Sequence, residues 1–163
     1  MKSRQTGFTI IELMITLLVL SILLAAAVPS FREFTRNSRV IAAQNDLVTA
    51  MSIARSEAVK QSADVILCPI DNPAVPTCIT GTNWANGWMV QTLGSATPLQ
   101  VWPGVGGDVT ATSTVNQLRY QPIGTVATAG IFTIQYSDCS GPKAHRITVR
   151  LVGSPQSELV TCT

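Results

Sequence analysis

A chain of 163 residues with a formal net charge of +2 has the size of one ordinary domain, which excludes a second catalytic domain within it. Only 12% of its residues are charged and 46% are hydrophobic, so neither a disordered segment nor a supercharged nucleic-acid tail fits the composition. The apolar content is concentrated rather than spread.

Residues 8–28 form a run interrupted only by Thr9, Thr16, Ser21 and a single charge, Glu12. A helix that crosses the hydrocarbon core needs about 20 mostly apolar residues, so this run predicts one transmembrane helix. Lys2 and Arg4 precede it with no acidic residue before Glu12, which keeps the N-terminus cytoplasmic and exports the remainder. A cleaved secretory signal is the competing reading, with Ala25-Ala26-Ala27 as its small-residue site, but the run is longer than the usual apolar core of such a signal. Glu12 also argues against it, because an unpaired carboxylate in hydrocarbon costs roughly 2.5 to 3.5 kcal/mol and calls for a cation.

Pro29 should bend or locally break the helix, which then resumes as an amphipathic second half over residues 29–61. Phe31, Phe34, Ile41, Leu47, Val48, Met51, Ala54 and Ala58 recur largely at helical spacing and predict the buried stripe, with Arg32, Arg36, Arg39, Gln44, Arg55 and Lys60 on other faces.

Beyond Gln61 the texture changes to short β-rich runs between Gly, Pro, Asn and Thr. The expected strands are Asp64 to Cys68, Gly87 to Leu93, Leu99 to Val101, Gln117 to Tyr120, Ile131 to Tyr136, Arg146 to Val152 and Leu159 to Cys162. The fold class is therefore α+β: a long N-terminal helix laid on an antiparallel sheet or sandwich over residues 62–163. Cys68, Cys78, Cys139 and Cys162 all lie in the exported part, and their even number suits an oxidising compartment. Of three connectivities, Cys68 with Cys78 and Cys139 with Cys162 join nearest neighbours and are the pairing expected. Zinc is the alternative, but there is no C-x-x-C and His145 stands at no ligand spacing from a cysteine.

No catalytic constellation emerges. Gly104, Gly106 and Gly107 precede no Lys-Ser/Thr helix and read as a turn, His145 has no G-x-S-x-G to serve, and the carboxylates are scattered singly. No enzyme, cofactor or metal is expected.

Lys2 and Arg4, followed by Gly7-Phe8-Thr9-Ile10-Ile11-Glu12-Leu13 and the apolar run, resemble the N-terminal signal of type IV pilins and type II secretion pseudopilins. The resemblance implies a leader, residues 1–7, that prepilin peptidase removes after Gly7, with methylation of the new terminus at Phe8. It also implies that Glu12 pairs with the terminal amine of a neighbouring subunit during assembly, and that Pro29 is the helix-disturbing proline common in this family. Leu47 to Val65 with Ala54-Arg55-Ser56-Glu57-Ala58-Val59, then Trp84, Gly87-Trp88, Leu118 to Gly124 and Arg146 to Leu151, are similar to the GspH/FimT group of minor pilins.

Membership there implies a structural subunit that initiates or caps a pilus. Its partners would be other minor pilins, the major pilin, prepilin peptidase and the inner-membrane assembly platform, and its location the inner membrane and then the filament. The alternatives are a GspH-like pseudopilin of type II secretion and a FimT-like DNA-binding pilin. Members that bind DNA carry a C-terminal glycine-arginine motif, whereas Gly153 here is followed by Ser154, Pro155, Gln156 and Ser157. Lys143, Arg146 and Arg150, with His145 and Arg119 nearby, are the candidate phosphate contacts. Loss of Lys2 and Arg4 would leave basic and acidic side chains in balance, so bulk charge would not draw the mature chain to DNA.

Overall fold

The structure, a computed structural model, describes residues 9–162. The leader and its cleavage site at Gly7 and Phe8 lie outside the described residues. Two compact units divide the chain between Thr35 and Arg36.

Among the described residues the one helix, α1 (Ile10–Gln61), belongs to both units. Pro29 lies inside it and ends no helix. The helix stops where Ser62 adopts a left-handed backbone with φ 50°, a conformation that ends the helix while the Ala63 N–H donates to the Ala58 carbonyl at 3.3 Å and caps it.

In the second unit eight strands form two four-stranded antiparallel sheets. One has the order β3-β2-β1-β5, from β1 (Val65–Pro69), β2 (Gly87–Thr92), β3 (Gln100–Pro103) and β5 (Leu118–Tyr120). The other has the order β4-β6-β7-β8, from β4 (Val109–Ser113), β6 (Gly130–Tyr136), β7 (Ala144–Val149) and β8 (Pro155–Val160). β6 shows why the chain pleats as it does: Phe132, Ile134 and Tyr136 point inward on every second position while Ile131, Thr133 and Gln135 point away.

The helix from Val40 to Ala58 and the inner faces of both sheets share one core. Val40, Ala43, Leu47, Ala50, Met51, Ala54 and Ala58 are the buried stripe, which corrects the expected one. Leu47, Met51, Ala54 and Ala58 belong to it, but Phe31 and Phe34 are exposed and Ile41 is largely so. Four of the seven true positions are alanine. Small side chains let the helix backbone approach the sheets closely, a requirement that a search for large apolar residues overlooks.

Two strand expectations are corrected. β4 was not among the expected strands, because Val109-Thr110-Ala111-Thr112-Ser113 holds one large apolar residue; its alternation of inward Val109 and Ala111 was the available signal. The last strand runs from Pro155 to Val160 rather than from Leu159 to Cys162. Pro155 opens it on a sheet edge, where a missing N–H leaves no ladder bond unmade.

Cys68 is bonded to Cys78 and Cys139 to Cys162, with Cα–Cα separations of 5.6 and 5.7 Å. The first holds the loop after β1 over the outer side of its sheet, where Cys68, Ile70 and Met89 form a small second core. β1 is consequently buried on both faces. The second ties the loop after β6 to the chain beyond β8, whose own residues are mostly exposed. Replacing Cys139 and Cys162 together by serine is expected to lower stability by roughly 3 kcal/mol in the chain-entropy picture, read as a shift of the denaturant midpoint against the oxidised parent.

Candidate functional site

The described start of α1 is a capping box. Thr9 Oγ1 accepts from the Glu12 N–H at 3.3 Å, while Glu12 Oε2 accepts from the Thr9 N–H at 3.0 Å and from Thr9 Oγ1 at 2.9 Å. The Thr-x-x-Glu spacing satisfies N–H groups that the first helical turn leaves without partners. Glu12 therefore has a role within its own chain, beside the intersubunit pairing expected of it.

From Ile10 to Ala25 every side chain is exposed. Leu, Ile, Val and Met dominate this stretch, so it is an apolar surface that its own unit leaves uncovered. Among the described residues, no helix is long and apolar enough to cross a membrane.

The basic residues do not converge. Lys143 precedes β7 and Arg150 follows it, about 23 Å apart at the rise of a strand. Arg146 lies between them and is paired with Glu158 of β8 at 3.5 Å. Arg119 sits on β5 in the other sheet and pairs with Asp64. A shallow cavity of about 350 Å³ beside Arg150 is lined by Thr148, Gln156, Ser157 and Glu158, so a carboxylate shares the place that a phosphate would take.

His145 pairs in register with Ile134, on the side of β7 opposite to Arg146 and Thr148. Burial pushes its imidazole below the ordinary value. A depressed folded pKa means that the unfolded chain binds the proton first, so stability is full above about pH 6.5 and falls as the pH drops below it. The melting temperature of the domain is expected to decline from pH 7.5 to 5.5, and His145→Gln to flatten that decline.

Arg55, Tyr120, Gly124, Gly153 and Ser154 meet where the helix reaches two turns, a cluster that the sequence did not foretell. Arg55 Nη1 donates to Ser154 Oγ at 3.0 Å, and the same arginine packs over Gly124. Tyr120 is buried, its hydroxyl donates to the Gly153 carbonyl at 3.3 Å, and burial raises its pKa. Gly124 and Gly153 both have φ of 81°. At the other end of the packed helix Arg36 bridges Asp108 at 2.6 Å and Asp138 at 3.1 Å and lies 5.5 Å from the Tyr136 ring centre.

Residues 43–153 match the family of the type II transport protein GspH, and residues 2–28 match the prokaryotic N-terminal methylation motif. The chain belongs to the GspH family. Two crystal forms of the type IV minor pilin FimU of Pseudomonas aeruginosa share the fold of this GspH-family chain, each at 23% identity. One has a TM-score of 0.63 over 77% of this chain and 92% of that one, the other 0.58 over 72% and 90%.

Among curated relatives, a fimbrial protein of Pseudomonas aeruginosa is 34% identical over 62 residues, 38% of this chain and 40% of that protein. The type IV major fimbrial protein FimA of Dichelobacter nodosus is 31% identical over 86 residues, 53% of this chain and 48% of that one. The chain spans less than half the length of the curated relatives it matches. It joins the GspH-family domain to an N-terminal methylation motif and shares with FimU the fold of one long helix and a disulfide-bonded antiparallel domain.

Proposed function

We propose that this chain is a structural subunit, without catalytic activity, that initiates or caps a type IV pilus. The observation that carries the reading is the pairing of two features in one helix. Ile10 to Ala25 is apolar and exposed, while Val40 to Ala58 is locked into a folded domain. An exposed apolar helix needs lipid or other helices around it, and a filament that grows from the inner membrane supplies first one and then the other. Residues 8–28 would span that membrane, with the short N-terminus cytoplasmic and the β-domain periplasmic. Prepilin peptidase would cut after Gly7 and Phe8 would be methylated, which the match of residues 2–28 supports. Glu12 would pair with the terminal amine of a neighbouring pilin, and the assembly platform with the major and other minor pilins would be its partners.

The family match favours a second reading, a pseudopilin of type II secretion. Deleting the gene and measuring surface piliation and protein secretion side by side separates the two, since loss of pili alone supports the first and loss of secretion alone the second. Processing has its own test: protein from the native host should begin at methylated Phe8, and a terminus near Val28 would overturn the pilin reading. Glu12→Ala should insert normally and yet be depleted about tenfold or more from sheared filaments, because the lost charge pair lies in an apolar setting. Incorporation at the parental level would remove Glu12 from assembly.

A further inference from the structure

Each sheet ends in two edges, and an open edge is a template for another strand. In this fold three of the four edges are closed or short. β4 is covered by the chain at 82–84, with the Trp84 N–H donating to the Ala111 carbonyl and the Ser113 N–H to the Thr82 carbonyl, both at 2.8 Å. β5 is covered by the chain at 126–127, where the Ala127 N–H donates to the Arg119 carbonyl at 3.0 Å. β3 has four residues and ends in Pro103. β8 is different: it has six residues, all exposed or half-exposed, and among the described residues its backbone pairs with β7 alone.

The register says which groups of β8 are open. The β7–β8 connection holds the Gly153 N–H to the Arg150 carbonyl at 2.8 Å with Gly153 at φ 81°, the pattern of a turn closed by a left-handed glycine bulge. Continuing the ladder from it makes Thr148 with Gln156 and Arg146 with Glu158 the hydrogen-bonded pairs. The N–H groups of Ser157 and Leu159, and the carbonyls of Pro155, Ser157 and Leu159, then face outward. Pro155 fits this phase, since the N–H it lacks is an outward one. Charge, the usual guard of an edge, is spent: Glu158 is the only charged residue of β8, and Arg146 neutralises it.

Beside the start of β8 lies a groove of about 490 Å³ lined by Ser52, Arg55, Ser56, Val59, Lys60 and Pro155. Its lining holds two cations and no carboxylate. Lys60 meets Glu57 at 3.0 Å, but the guanidinium of Arg55 donates to the neutral hydroxyl of Ser154, and no carboxylate lines the groove beside it. We infer that β8 and this groove form a docking site for an extended strand of a partner protein, one face of which carries an apolar side chain and a carboxylate two residues apart. Backbone pairing along β8 holds the strand, the apolar side chain meets Val59 and Pro155, and the carboxylate meets Arg55. A second copy of β8 offers Pro155, Ser157 and Leu159 on that face and no carboxylate, so it leaves Arg55 unmatched. The proposal rests on the sheet edges and stands apart from the filament reading.

The test uses residues 36–163, which contain the whole core and both disulfides. The isotope-labelled domain is titrated with a capped threonine heptapeptide carrying valine, glutamate and valine at alternate positions. The amides of Ser157 and Leu159 are expected to gain exchange protection while those of Gln156 and Glu158, already in the ladder, stay unchanged. Ser157→Pro should weaken binding about tenfold by removing one outward donor, and lysine in place of the peptide's glutamate should weaken it as well. A peptide N-methylated at alternate residues tests the backbone pairing without altering the protein, and should not bind. Absence of protection at millimolar peptide, or equal binding by the methylated peptide, would overturn the proposal. Protection that arises without peptide and grows with protein concentration would also overturn it, in favour of a second copy.

Discussion

Gly153→Ala is expected to destabilise the domain by about 3 kcal/mol or more, at the severe end of single substitutions. A Cβ at this position would lie 2.2 Å from the Gly124 carbonyl oxygen and 3.3 Å from the Tyr120 ring, and both the glycine and its neighbour across the contact are turn backbone that cannot swing aside. The left-handed φ of 81° adds roughly 1 kcal/mol on its own. Gly94 separates the two contributions, since it has φ of 84° with open space where its Cβ would stand. Gly94→Ala should therefore shift the denaturant midpoint by only the smaller, conformational amount. Equal losses at the two glycines would show that the contact between the turns contributes nothing.

Trp84→Ala is expected to remove about 3 to 5 kcal/mol, which most domains of this size cannot spare. Trp84 is fully buried and meets Phe132 edge to face with ring centres 5.0 Å apart. It joins the loop that covers β4 to the centre of the core, so its truncation opens a large cavity under a sheet edge. Among the described residues its indole N–H has no acceptor. Trp84→Phe should accordingly keep most of the stability, losing about 1.5 kcal/mol through imperfect filling. A phenylalanine variant as unstable as the alanine one would mean that the indole nitrogen, rather than the ring volume, holds the loop.

These two residues mark different kinds of legibility. Trp84 was visible in the sequence among the residues that carry the family resemblance, and a large apolar side chain in a turn-rich stretch has few uses other than packing. Gly153 stood out only for the arginine that does not follow it. Its actual constraint, the approach of one turn to another across 29 positions of sequence, has no local signature. The same holds for Arg146, whose partner Glu158 is across a strand pair, and for Arg119, which the topology carries to the other sheet.

The sequence by itself determined what short-range periodicity and composition encode. Helical spacing carried the second half of α1 to Gln61, alternation placed β2 and β6 within a residue at each end, and the run from Phe8 with Glu12 inside it marked the pilin signal. Tertiary structure alone decided the full buried helix face, because Ala43 and Ala50, unlike Ala54 and Ala58, were not in the expected stripe and become core only when sheets are pressed against them. It also decided that β4, poor in large apolar residues, is a strand, since the loop at 82–84 and β6 supply the hydrogen bonds on its two sides. The open edge at β8 was equally invisible in sequence. A strand's neighbours, and hence whether its backbone groups are already paired, depend on long-range topology that no local pattern of side chains records.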